Sequence, residues 1–224
     1  MVAVGLERVK LVNYTKGEEI VNTVTHSLGA LFGVLVLFLC YLKAEILGSS
    51  FMLVSAVIYG MSMILLYLAS SAYHAAPYGR MKQALRLLDH AMIYLLIAGT
   101  ATPFALVSVY SLNPAIAWVI LFIAWGGCLA GVLAIIFGFE TTKLLQMALY
   151  IGLGWLMLLA GLPLLPQFPK MGLFLLLLGG GAYIIGSVFL GLGKKVKYMH
   201  SLFHLFVLAG SAIHFLCVFL YVLA

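Results

Sequence analysis

Seven long apolar segments constrain the fold of this chain more than any other feature. Each has about twenty residues or more, the length that a helix needs to cross roughly 30 Å of hydrocarbon. Their continuous apolar character differs from the alternating pattern of membrane barrel strands. The sequence therefore predicts an all-α integral membrane bundle of seven transmembrane helices. The segments cover residues 20–43, 49–75, 87–110, 114–138, 143–164, 170–192 and 198–223.

The composition supports a membrane protein. Of the 224 residues, 65% are hydrophobic and only 8% are charged, far from the balance of a soluble domain. The net charge of +6 does not indicate nucleic-acid binding, because the basic residues fall in short gaps between apolar segments. The three cysteines all lie within apolar segments, where we interpret them as packing residues.

Lysine and arginine are unevenly divided between the two sides of the predicted bundle. Because such residues are enriched in cytoplasmic loops, we expect a cytoplasmic N-terminus and a C-terminus outside. The side without the N-terminus has only Lys43 and Lys170. The other side has ten basic residues, namely Arg8, Lys10, Lys16, Arg80, Lys82, Arg86, Lys143, Lys194, Lys195 and Lys197.

Two units are expected along the chain. Residues 1–19 mix apolar and charged side chains, which predicts an N-terminal cytoplasmic tail or a short interfacial helix. Residues 20–224 form the seven-helix transmembrane domain. The gaps between its segments are short, so helices that are adjacent in sequence should be adjacent in space.

Ionisable residues gather at the cytoplasmic ends of the predicted helices. His200 and His204 are four residues apart, so both imidazoles lie on one face of the last helix. His74 ends the second apolar segment, and Asp89 lies near the start of the third. Ionisable side chains within a membrane are costly and mark functional sites.

Three imidazoles from two helices predict a metal site. Neutral imidazole suits zinc, and three protein ligands leave a fourth position for water. The candidate ligands are His74, His200 and His204. Asp89 could act as the base for the water, and Ser70, one turn before His74, could hold the water or a carbonyl oxygen.

Other polar residues have simpler interpretations. Glu19, Asn22 and His26 are predicted to form a network around the ligands, with His26 as a replacement ligand if His200 is too exposed. An isolated H-x-x-x-H pair near a helix end can also be a polar bridge between helices. His90 is interpreted as a packing contact and His214 as a satisfied polar residue within the bundle.

Four stretches of the chain resemble the bacterial hemolysin III family, at residues 19–26, 70–74, 88–104 and 200–215. They contain S-x-x-x-H, then an aspartate, then H-x-x-x-H, in that order. That family belongs with the progestin and adiponectin receptors (PAQR) and is similar to the alkaline ceramidases. The resemblance implies seven helices and an intramembrane zinc near the cytoplasmic face. The family's zinc histidines carry over to His74, His200 and His204, and its site serine and aspartate to Ser70 and Asp89.

Three functions are compatible with the polar residues of this predicted metal site. The first is a zinc-dependent hydrolase of an amide or ester bond in an acyl lipid. The second is a non-catalytic receptor or sensor in membrane lipid homeostasis, with a structural zinc that His26 would help to enclose. The third is a pore-forming hemolysin, which is disfavoured because the outer halves of the helices lack a polar stripe. The expected location is the cell membrane, and the expected partner is a membrane lipid. A homo-oligomer is compatible with the sequence. No nucleic-acid partner is expected.

Overall fold

All seven apolar segments form helices in the computed structural model, which describes residues 6–161, 166–193 and 195–224. No strand occurs within these ranges, so the predicted all-α class is confirmed. Residues 1–5 of the predicted N-terminal unit, residues 162–164 of the fifth segment and Lys194 lie outside them. The helices are α1 (Lys16–Leu47), α2 (Ser50–Ala75), α3 (Arg80–Pro103), α4 (Pro114–Gly138), α5 (Lys143–Gly161), α6 (Lys170–Leu192) and α7 (Met199–Cys217).

Six helices are long and apolar enough to cross a membrane, judged over the described residues. They are α1, α2, α4 and α6, together with α3 and α7 extended by short π-helical segments at Phe104–Val109 and Val218–Val222. Large apolar side chains face outward, such as Leu31 at 69% exposure and Phe122 at 80%. An exterior of this kind suits lipid, whereas many polar side chains are buried inside the bundle.

Two helices begin well before the apolar segments that predicted them. α1 begins at Lys16, because the Thr15 side chain caps the first turn and Glu18 completes a capping box. α3 begins at Arg80, seven residues ahead of its apolar segment. Charged residues that a sequence pattern assigns to loops therefore lie on helices, at the end of the bundle where α1, α3, α5 and α7 begin. We call this the N-terminal end.

Helix packing brings both ends of the chain to one site. Consecutive helices from α1 to α5 pack against each other, as do α6 and α7, and α7 also packs against α1. One apolar core joins α1, α2 and α7, and a second joins α3, α4 and α5. The N-terminal ends of α1 and α7 consequently lie beside the last turn of α2.

Residues 9–15, which we call the N-terminal strap, are extended chain that crosses the N-terminal end. Val9 is 2% exposed and packs into the second core. Its carbonyl accepts a hydrogen bond from Gln83 Nε2 at 3.1 Å, and the Val12 carbonyl accepts one from the Tyr78 hydroxyl at 2.9 Å. The Lys10 N–H donates to Glu140 at 3.0 Å. The strap is thus anchored to α3 and to both the α2–α3 and α4–α5 connections. Its location relative to the membrane interface stays a prediction.

The approach of α1 to α2 gives a test of this packing. A Cβ added at Gly60 would lie 2.5 Å from the Cβ and 2.7 Å from the Cα of Leu37, so Gly60→Ala must push the helices apart. We expect a loss of about 1–3 kcal/mol, seen as a lower thermal unfolding temperature in detergent. Gly180→Ala in α6 is the control, since no described atom of a neighbouring helix lies within 4 Å of its added Cβ. Equal unfolding temperatures for the two variants would refute the close approach.

Candidate metal centre

Three buried histidines converge at the N-terminal end. One ring nitrogen from each of His74, His200 and His204 lies within 4.8 Å of the other two. None of the three residues is more than 8% exposed. His200 and His204 are one turn apart on α7, and His74 reaches them from the last turn of α2. The structure thus brings together the three ligands that the sequence predicted.

The donor atoms fit a metal ion. The Nε2 atoms of His200 and His204 are 3.1 Å apart, and tetrahedral ligands at zinc–nitrogen distances of about 2.0 Å would be separated by about 3.3 Å. His74 Nε2 is buried and has no hydrogen-bond partner in the described chain. Because an unpartnered buried nitrogen is costly, an ion at this point would satisfy it. The three histidines could therefore hold a metal ion.

Glu19 fixes the orientation of the His74 ring. Its Oε2 lies 2.7 Å from His74 Nδ1, so this nitrogen donates to the carboxylate and Nε2 is left free for a metal. Asn22 Nδ2 is 3.4 Å from the same Nδ1, and Asn22 Oδ1 accepts a hydrogen bond of 2.6 Å from the Ser201 hydroxyl. Glu19 and Asn22 thus lie beside the ligands and tie α1 to both α2 and α7.

Lys82 completes this chain of contacts, and the sequence analysis did not single it out as a site residue. Only 1% of the residue is exposed, and its Nζ lies 3.0 Å from Glu19 Oε1. The same ammonium donates to the carbonyls of Tyr73 at 2.9 Å and Ala76 at 3.0 Å. A cation at this position satisfies the free carbonyls and the negative dipole end of α2. One lysine thereby joins the end of a helix to the acid that orients a ligand.

His26 packs against the cluster and is not among the three converging histidines. Its ring stacks on His204 with 3.5 Å between centroids and 9° between planes. An imidazole nitrogen binds a metal ion through a lone pair that lies in the plane of its ring. Because the two rings are stacked and nearly parallel, an ion in the plane of the His204 ring lies well outside the plane of the His26 ring. The sequence predicted His26 as a replacement ligand only if His200 were too exposed. His200 is only 8% exposed, so this condition is not met.

Asp89 and Ser70 lie next to the cluster on α3 and α2. The Asp89 carboxylate is close to both Ser70 and His74, and its Oδ2 lies 3.7 Å from His90 Nδ1. Ser70 is 2% exposed. Ser70 is one turn before His74 on α2, so the pair lies beside the histidines, although Asp89 is not one of the three converging residues.

The remaining two histidines make structural contacts. His90 Nδ1 lies 3.0 Å from the Arg86 carbonyl of its own helix, and its ring meets the edge of Phe139. His214 Nε2 lies 3.0 Å from the Leu176 carbonyl of α6. The environment of His90 matches its predicted packing role. His214 is bonded within the bundle through Nε2, as predicted, but its buried Nδ1 has no hydrogen-bond partner among the described residues.

Tyr14 covers the cluster from the N-terminal strap. Its ring stacks on His200 with centroids 4.9 Å apart and lies 5.6 Å from the His74 ring. The phenol is close to Arg86 and Asp89. Burial raises the pKa of Tyr14, so the hydroxyl remains protonated at neutral pH. No pattern in the sequence distinguished this tyrosine from an ordinary aromatic residue before a helix.

Comparison with known proteins places this arrangement in a family. The profile of the family described as "Haemolysin-III related" matches residues 14–215, which include every residue of the centre. The chain belongs to the haemolysin-III family. The resemblance predicted from the sequence is confirmed, and the family lies within the wider PAQR group.

Two curated relatives match nearly the whole chain, and a third matches three quarters of it. The chain is 39% identical over 208 residues to "Hemolysin-3 homolog" of Bacillus subtilis (strain 168), which covers 93% of this chain and 96% of that protein. It is 38% identical over 206 residues to "Hemolysin-3" of Bacillus cereus, with 92% of each chain covered. "Monocyte to macrophage differentiation factor" of Homo sapiens is 24% identical over 173 residues, which is 75% of this chain and 70% of that protein. Family membership and the six apolar helices identify a multi-pass membrane protein.

The contact between Glu19 and His74 predicts the effect of a charge-removing substitution. Glu19→Gln keeps the shape of the side chain but removes the carboxylate that orients the ring. We expect the affinity for added Zn²⁺ to fall by about 10- to 100-fold, measured by competition with a chromophoric chelator. Glu45→Gln is the control, because Glu45 lies at the other end of α1 and contacts Tyr41. An E19Q affinity equal to that of E45Q would show that this carboxylate does not support the ligand.

Proposed function

We propose that this protein is a zinc-dependent hydrolase that cleaves an amide or ester bond in an acyl lipid. The observation that carries the proposal is the buried cluster of three histidines, in which His74 presents an unpartnered nitrogen and is oriented by Glu19. Three imidazole donors suit zinc and leave a fourth position for water or substrate. The stacked ring of His26 is poorly oriented to fill that position, which favours a catalytic over a structural ion.

The neighbouring residues supply the other functions that hydrolysis needs. Zinc, when bound, polarises the acyl carbonyl and lowers the pKa of water. Asp89 takes a proton from the attacking water and returns it to the leaving amine or alcohol. Ser70 donates a hydrogen bond to the carbonyl oxygen as negative charge develops on it. Tyr14 shields the cluster from bulk water.

The proposal includes the orientation of the bundle. All seven helices cross the membrane, since α5, with 19 residues, is about 28 Å long. Ten of the twelve basic residues lie on the side of the N-terminus, which favours a cytoplasmic N-terminus and a C-terminus outside. The histidine cluster then lies near the cytoplasmic face, at the depth where lipid acyl bonds meet water.

Metal content tests the centre directly. Wild-type protein purified in detergent should contain about one zinc ion per chain, and the double variant His200→Ala/His204→Ala should contain none, because two of three ligands are lost. His214→Gln is the matched control, since His214 contacts a backbone carbonyl far along α7. Equal metal content in all three proteins would place the metal elsewhere and remove the basis of the proposal.

Turnover tests the enzyme. Asp89→Asn should retain zinc but release fatty acid about 10²- to 10⁴-fold more slowly, because the amide cannot accept the proton. Fatty-acid release from ceramides, diacylglycerols and phospholipids is measured on zinc-loaded wild type and variant. Zinc-loaded wild type that releases fatty acid from none of these would exclude the hydrolase and favour the non-catalytic lipid sensor.

A further inference from the structure

Arg86 is a buried cation beside the candidate centre and has no anionic partner within 4 Å among the residues that the structure describes. The residue is only 9% exposed. Its guanidinium forms no ion pair within 4 Å and donates no hydrogen bond within the described residues. On α3 it lies one turn after Lys82 and one turn before Asp89, on the helix face that carries both. A largely buried guanidinium whose N–H groups have no described protein acceptor is suited to an anionic ligand.

The nearby carboxylates already have closer partners. These contacts are Glu19 with Lys82 and His74, Glu140 with Lys143, Glu18 with Thr15 and the Tyr198 N–H, and Asp89 with His90. No described carboxylate therefore forms an ion pair with Arg86, and Asp89, one turn along α3, acts on it only at longer range. A divalent ion on the histidines would add a second positive charge beside it, since a bound cation is often the largest local charge in a site.

The geometry of Arg86 suits an oxyanion. Its Cζ lies 5.2 Å from the centre of the Phe139 ring, so the aromatic ring supports the guanidinium while N–H groups stay available. The planar guanidinium can donate two parallel hydrogen bonds to a phosphate. The Tyr14 ring stacks on His200, and its hydroxyl makes no hydrogen bond within the described chain, so it can donate a third.

We propose that Arg86 and Tyr14 bind the phosphate of a lipid headgroup while an acyl carbonyl of the same lipid lies at the histidine cluster. The substrate class is then an acyl phospholipid, in preference to acyl lipids without phosphate. The inference rests on the proposed function. In a glycerophospholipid the phosphate and the nearest ester are on adjacent glycerol carbons, so one lipid molecule carries both groups a few bonds apart.

The reaction on such a substrate balances with water alone. The water oxygen forms a bond to the acyl carbon, and the bond from that carbon to the glycerol oxygen breaks. A proton passes through Asp89 to the leaving alcohol. The products are a fatty acid and a lysophospholipid, whose phosphate remains at Arg86 until it dissociates.

Lipid binding tests the role of Arg86 separately from catalysis. Zinc-loaded full-length protein is titrated with dimyristoyl phosphatidylglycerol, dimyristoylglycerol or inorganic phosphate, and complexes are counted by native mass spectrometry. Wild type should bind the phospholipid about tenfold or more tighter than the diacylglycerol, because charged hydrogen bonds are lost without the phosphate. Arg86→Gln should abolish this preference, Arg86→Lys should reduce it, and Tyr14→Phe should weaken phospholipid binding about threefold.

Arg80→Gln is the matched control. Arg80 is an exposed arginine on the first turn of the same helix, so its loss should leave the preference for phospholipid unchanged. The zinc content of every variant reports whether the centre is intact. If Arg86→Gln and Arg86→Lys retain zinc and the full preference, the inference is overturned. Binding of inorganic phosphate as tight as that of the phospholipid would overturn the lipid headgroup as the ligand.

Hydrolysis measured on the same samples separates the two proposals. If wild type prefers the phospholipid, Arg86→Gln loses this preference and no fatty acid is released from either lipid, Arg86 binds the headgroup and hydrolysis of these lipids is refuted. If wild type binds and cleaves both lipids equally, the hydrolase stands and the role of Arg86 is refuted.

Discussion

A single buried lysine links the stability of the bundle to the geometry of its candidate centre. Lys82 bonds the last carbonyls of α2 and pairs with Glu19, which in turn orients His74. Lys82 and Glu19 depend on each other, because an unpaired carboxylate or ammonium at this depth would be strongly destabilising. The position of the helix end, the tautomer of the ligand and the direction of its free nitrogen are therefore fixed together. A lysine that only neutralised charge could have remained in solvent, whereas this one is almost fully enclosed.

The three candidate ligands and their first neighbours could be predicted because they interrupt apolar sequence. In a membrane segment an ionisable residue is costly, so the few that occur carry information. The four-residue spacing of His200 and His204 fixes their shared face, and His74 with Glu19 falls at the same end of the bundle once the helices alternate in direction. The all-α class follows from the same apolar segments. These expectations depend on local periodicity and on topology, both of which a single sequence contains.

Lys82, Arg86 and Tyr14 could not be recognised in this way, because charges and aromatic residues are ordinary at the edges of apolar segments. α3 begins at Arg80, so two basic residues expected near a loop point into the bundle from a helix. Tyr14 reaches the histidines only because the N-terminal strap is anchored at Val9 and Val12 by side chains distant in sequence. His26 lay within the predicted network, but its exclusion from the metal ligands depends on a ring orientation that packing against His204 decides.

The order in which the centre's parts are synthesised has a consequence for assembly. His74 and Glu19 belong to the first two helices, whereas His200 and His204 are on the last. During biosynthesis α1 and α2, with Glu19 and His74, are therefore made before the other two histidines. The three histidines can converge only after α7 has packed against α1. A metal ion captured by all three histidines would then bind only to a completed polypeptide. Truncated or wrongly inserted chains would remain metal-free and open at the N-terminal end.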